Sequence, residues 1–170
     1  MRRSGVMLTR RLDHNHTFAF HGNVMILVWG RETLVDAVVA VCREMDQFGA
    51  QNPQGGGLVT IVEADAEMPS TAARSAVADL LRRATYVRRS ALIQEGSGFR
   101  AAAVRGVVTG MTLLAKQSFP HQVFDSTRSA IPWMIAGLPP HLGAVMSPLD
   151  LESGIQDARR VFDEHRRGRR

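Results

Sequence analysis

The sequence predicts an α/β protein with a mainly parallel sheet. Three observations carry that reading: short apolar runs at Val24–Trp29, Leu58–Glu63 and Ala91–Gln94, amphipathic helical segments between them, and turn-forming residues at nearly every junction. Strands that alternate with helices in this way pair in parallel, because each crossover returns the chain to the same end of the sheet. The expected order is β-β-α-β-α-β-α-β-α-α, with no internal repeat.

His16–Phe20 and Val24–Trp29 read as a hairpin around His21-Gly22-Asn23. The run VMILVW has no polar face, which marks a central strand covered on both sides. Thr33 and Asp36 form a capping-box-like start to a helix whose apolar side is Leu34, Val38, Val41, Met45 and Phe48, with Gly49 at the expected C-terminal cap. After the loop AQNPQGGG comes the strand at Leu58, and Pro69-Ser70-Thr71 then opens a second helix capped by Ser70 or Thr71. Arg82, Arg83, Arg88 and Arg89 mark its far end, where cations suit the helix dipole.

Ser97–Lys116 is the most apolar helical segment. At 100° per residue, Arg105, Thr109, Thr112 and Lys116 share a narrow stripe, and Ala103, Val104, Val107, Met111 and Leu114 lie opposite. A flank of Ala102, Gly106 and Gly110 places small residues at four-residue spacing, an expected close-approach interface with a neighbouring helix or a second subunit. Gln122–Phe124 is the last strand, followed by a short helix over Ser126–Ile135 that accommodates Pro132 if it begins near Ser129. Ser147-Pro148 starts a final helix to Arg167, with Leu151, Ile155, Ala158, Val161 and Phe162 on one side.

Charge is concentrated at the ends. The net formal charge is +5, of which residues 1–13 carry +3 and residues 159–170 carry +4, leaving −2 for the rest. Cys42 is alone, so no intrachain disulfide forms, and the cytoplasm is the expected location, with no membrane association expected. The terminal arginines Arg166, Arg167, Arg169 and Arg170 are the candidate contacts for nucleic acid or an acidic partner. Twenty arginines against one lysine, however, look more like genome composition than selection for phosphate.

Chemical signals are sparse. His14, His16 and His21 invite a metal reading, but they lack a cysteine or a carboxylate partner beyond Asp13 and read better as solvent-facing edge residues. His121 and His141 lie in loops without defined partners. Glu63, Asp65 and Glu67 stand at a strand C-terminus, where open α/β sheets place ligands, yet no nucleophile is spaced to join them. Gly55-Gly56-Gly57 precedes a strand, so it is not a phosphate loop, and Glu95-Gly96-Ser97-Gly98 lacks the spacing of a nucleotide motif. No catalytic residue, metal or cofactor is expected.

The βα order after an opening hairpin resembles the STAS domain of anti-sigma-factor antagonists and sulphate transporters. It is closer still to small bacterial proteins of STAS-like fold, which share the Gly98-Phe99-Arg100 helix start and the aliphatic-aromatic ending at Ala130 and Trp133. The likeness covers residues 16–138, between a basic lead (1–15) and a C-terminal helical extension (139–170). It implies a non-enzymatic regulatory or scaffold protein that signals by protein–protein contact, with a homodimer as one form. In the antagonists a kinase phosphorylates a serine of an Asp-Ser-Ser-Gly-type segment at the second helix start. Here that stretch is Glu63–Thr71; it lacks the Ser-Gly signature, and only Ser70 and Thr71 offer hydroxyls. The alternatives are a nucleic-acid-associated protein using the arginine tails, and a small-ligand binder with a pocket near Asp65 and Ser97.

Overall fold

A computed structural model describes residues 8–94, 102, 103, 106, 110 and 118–167. Six strands form one sheet in sequence order, β1 (Leu8–Arg11), β2 (His16–His21), β3 (Val24–Trp29), β4 (Gly56–Val62), β5 (Val87–Gln94) and β6 (His121–Phe124). The pairings β1·β2 and β2·β3 are antiparallel, and β3·β4, β4·β5 and β5·β6 are parallel. The chain is therefore α/β with a mixed, mostly parallel sheet. Four helices have described bounds: α1 (Val35–Gln51), α2 (Thr71–Arg83), α3 (Thr127–Ile135) and α4 (Pro148–Arg167).

The all-apolar β3 lies inside the sheet, and all six of its side chains are buried. Met25, Leu27 and Trp29 face α1 and α2, where Val38, Val41, Met45, Leu80 and Leu81 close over them. Val24, Ile26 and Val28 face the other way, toward Ala130, Ile131 and Met134 of α3 and Leu151, Ile155 and Phe162 of α4. Period-2 alternation thus divides one strand between two cores. Each fully buried aliphatic or aromatic side chain contributes roughly 1.5–3 kcal/mol.

The segments expected as a basic lead and a C-terminal extension both contribute structure. β1 extends the sheet beyond the hairpin, and the apolar side of α4 belongs to the second core. Ser147 Oγ accepts from the Asp150 N–H at 3.1 Å while the Asp150 carboxylate accepts from the Ser147 N–H at 3.3 Å, a reciprocal cap for α4. A Cβ on Gly154 would fall 2.8 Å from the His21 ring, so glycine lets α4 lie against β2.

Three local expectations change. α1 has Leu34 at its N-cap with no side-chain cap, so Thr33 does not form the expected box. The Leu34 N–H instead points to Nε2 of His16, 3.4 Å away. Gly49 is not a cap, because α1 continues to Gln51; a Cβ at Gly49 would collide with the Tyr86 ring. α3 begins at Thr127 rather than Ser129, with Ser126 Oγ accepting from the Ser129 N–H, so Pro132 sits one turn inside the helix. Most of Ser97–Lys116 lies outside the described residues; Ala102, Ala103, Gly106 and Gly110 are helical.

The loop before α4 carries a conformational cost. His141 and Ala144 form an isolated bridge around Leu142 (φ 49°) and Gly143 (φ 78°), and Leu142 is 93% exposed. Two positive φ values in a two-residue turn are the pattern that favours Asn-Gly, and leucine is strained there. Leu142→Asn should therefore raise unfolding stability by up to about 1 kcal/mol, measured by urea denaturation. An unchanged or lowered midpoint would contradict the strain argument.

Candidate functional site

The C-terminal ends of β3 and β4, where an open α/β sheet leaves room for ligands and partners, bring the acidic run Glu63, Asp65 and Glu67 together with Arg166 and Arg167. The loop after β4, residues 63–69, is held there by two kinds of contact. Its backbone is fixed by the Glu67 N–H donating to the Arg31 carbonyl at 2.6 Å and the Ala66 N–H to the Glu63 carbonyl at 3.0 Å. Its carboxylates are held by arginines from separate elements: Arg31 Nε donates to Glu67 at 2.6 Å, and Arg166 of α4 donates to Asp65 at 2.6 Å. These pairs are about half exposed, and such surface bridges contribute about 0–1 kcal/mol each. The Arg166 guanidinium also lies 5.5 Å from the centroid of the Phe162 ring.

The loop delivers the chain to α2. Ser70 is the N-cap, its Oγ accepting from the Ala73 N–H at 3.1 Å, and both Ser70 and Thr71 are exposed. Arg74, one turn on, donates to Thr71 Oγ1 at 3.1 Å and to the Pro69 carbonyl at 3.2 Å. Both residues expected as a modification or partner contact are thus exposed, and the Thr71 hydroxyl lies against a guanidinium. Met68, just ahead of them, is 47% exposed.

Other candidates fall elsewhere. Arg166 and Arg167 end α4, while Arg169 and Arg170 lie outside the described residues. Ser97, expected to share a pocket with Asp65, also lies outside them. Ala102 and Gly106 are exposed, and a Cβ added at Gly106 or Gly110 would meet no described atom within 4 Å beyond the backbone of its own helix. Among the described residues, then, no neighbour approaches either glycine closely. Among the same residues no group of three His, Cys, Asp or Glu could hold a metal, and no helix is long and apolar enough to cross a membrane.

The histidines depart most from expectation. His16 is a core residue, 1% exposed, not a solvent-facing one. Its Nδ1 lies 2.7 and 2.8 Å from the two oxygens of Asp13, and its ring meets Trp29 edge-on at 4.5 Å. Donation from Nδ1 leaves Nε2 to accept from Leu34, so one neutral ring joins the β1–β2 loop to the start of α1. Burial pushes its pKa below the usual 6.5, against the upward pull of Asp13. His121, expected in a loop without partners, opens β6 and pairs across to β5, with Nδ1 3.0 Å from Ser90 Oγ. Burial pushes His121 down to about 4. A serine–histidine contact of this length suits nucleophilic catalysis in principle. Here Ser90 is 1% exposed and so low a basicity makes a poor general base at neutral pH, so the pair reads as a cross-strand hydrogen bond. A sequence signal for Asp13–His16 existed in their three-residue spacing; none existed for Ser90–His121, which depends on the register of two strands far apart in the chain.

No protein-family model, curated protein or solved structure matches the chain.

Both depressed histidines stabilise the fold fully above pH 6.5 and lose that contribution as pH falls through their folded-state values. Unfolding stability should therefore decline below pH 6.5, by no more than about 1.4 kcal/mol per pH unit for each ring. His121→Gln should flatten the part of the curve between pH 6.5 and about 4. Urea titrations from pH 8 to 4 check this, and a wild-type curve flat across that window would contradict it.

Proposed function

We propose that the protein is a non-enzymatic regulatory module of STAS-like architecture, which binds another protein through the β4–α2 loop and the start of α2. The supporting observation is electrostatic. Glu63, Asp65 and Glu67 crowd the sequence ahead of Ser70 and Thr71, and their charge opposes a phosphate or an acidic partner there. In the fold, Asp65 is paired with Arg166 and Glu67 with Arg31, while Arg74 lies against Thr71. The neighbourhood of the two hydroxyls is thereby partly neutralised and supplied with a guanidinium.

On this reading a phosphate on Thr71 takes Arg74 as its counter-ion and gains from the exposed N–H groups of the first turn of α2. It adds bulk and negative charge beside Met68 and the exposed Ala72, changing the face offered to a partner. The reading departs from the antagonist pattern in lacking the Ser-Gly signature, so the assignment of Ser70 or Thr71 rests on position and surroundings. Of the four arginines named for a nucleic-acid role, Arg166 is engaged by Asp65 in an exposed pair.

Co-purification of the full chain from nuclease-treated native lysate tests the proposal. A specific protein should be retained by the wild type, lost with Met68→Asp or Thr71→Glu, and kept with Arg88→Ala at the opposite end of the sheet. Circular dichroism should be unchanged in all three variants. Retention insensitive to both α2-side variants, or abolished by the nuclease alone, would overturn it.

A further inference from the structure

Beside the β4–α2 loop, at the same end of the sheet, lies an open cleft of about 930 Å³, within the range of small-molecule sites. Its walls are the β1–β2 loop at His14 and Asn15, the β3–α1 loop at Arg31 and Glu32, Glu67, and the last turn of α4. From these we propose that the cleft binds a phosphorylated polyol, such as a sugar phosphate. The proposal stands on the cleft alone and does not depend on the role given above to Ser70 and Thr71.

Three features define the ligand chemistry. First, guanidinium groups reach the cleft from two elements, Arg31 on one side and Arg166 and Arg167 on the other. Their planar forks match phosphate oxygens. Arg31 and Arg166 are held in place by exposed carboxylates, contacts weak enough for a phosphate to exchange. Arg167 makes no ion pair among the described residues. Second, Glu32 and Asp163 also line the cleft and would accept from hydroxyl groups, so it suits a ligand with donors as well as an anion. His165 adds another acceptor: its Nδ1 donates to the Val161 carbonyl at 2.6 Å, which leaves Nε2 to take a hydroxyl proton. Third, no Phe, Tyr or Trp lines the cleft, so there is no stacking platform for a nucleobase. An anion with hydroxyls and without an aromatic ring satisfies all three.

Glu67 occupies Arg31 in the free protein, so it competes with the phosphate. Its removal should tighten binding, an outcome that a merely structural Glu67 would not give. The backbone bond from Glu67 to Arg31 survives a Glu67→Gln change and preserves the loop.

Isothermal titration of the full chain with glucose 6-phosphate, ribose 5-phosphate and glycerol 3-phosphate tests the site, with inorganic phosphate and glucose as separate arms. Expected are saturable binding of at least one phosphorylated polyol, weaker binding of phosphate and none of glucose. Arg31→Ala and Arg167→Ala, both at exposed positions, should weaken binding at least about tenfold, Glu67→Gln should strengthen it about threefold, and Arg88→Ala should leave it unchanged. Absence of binding by all three phosphorylated polyols at about 10 mM, or binding indifferent to both arginine variants, would overturn the proposal. Phosphate binding as tightly as the polyol phosphates would overturn the role given to Glu32 and Asp163.

Discussion

The fold depends on a strand with no exposed side. Val24–Trp29 must hide residues on both faces while every backbone group finds a partner, and only an interior position in a sheet covered twice satisfies both demands. The β2 hairpin supplies one edge and the parallel β4 the other. α1 and α2 cover one face, α3 and α4 the second. α4 is therefore part of the minimal solution, because without Leu151, Ile155 and Phe162 the second face would stand open over β2 and β3.

With β3 covered on both faces, the ends of the sheet are where its connecting loops meet solvent. At the C-terminal end, three short connections and the last turn of α4 converge, tied by backbone hydrogen bonds and by exposed ion pairs. The contrast in energy is large: a core phenylalanine cut to alanine costs about 3–5 kcal/mol, whereas Arg31–Glu67 or Arg166–Asp65 contributes at most about 1 kcal/mol. A rigid platform with weakly tied loops suits a surface that must change with modification or ligand, since the loops can rearrange without disturbing the core. The His16 link runs the other way. Buried and bonded at both ring nitrogens, it fixes the start of α1 to the β1–β2 loop and keeps one wall of the cleft in place.

Much of the architecture was legible because it rests on local pattern. Uniform apolarity placed β3 at the centre, and the Ser70 and Ser147 starts followed from hydroxyls ahead of amphipathic runs. Misreadings arose where a distant contact overrode a local signal. Thr33 looked like a cap, but His16 accepts the N–H; Gly49 looked like a helix stop, but its missing side chain makes room for Tyr86. Of the candidate site, the hydroxyls and carboxylates could be found from sequence. Their pairing with Arg31 and Arg166 could not, since Arg166 lies about a hundred residues from Asp65 and read only as part of a basic tail. Ser90–His121 was hidden for the same reason.

Hydrogen exchange on the full chain, alone and with the protein that co-purifies with it, tests the central claim most directly. The account predicts new protection concentrated in residues 63–83, the β4–α2 loop and α2. Protection confined to residues 139–150 or to the end of α4, with 63–83 unchanged, would contradict it.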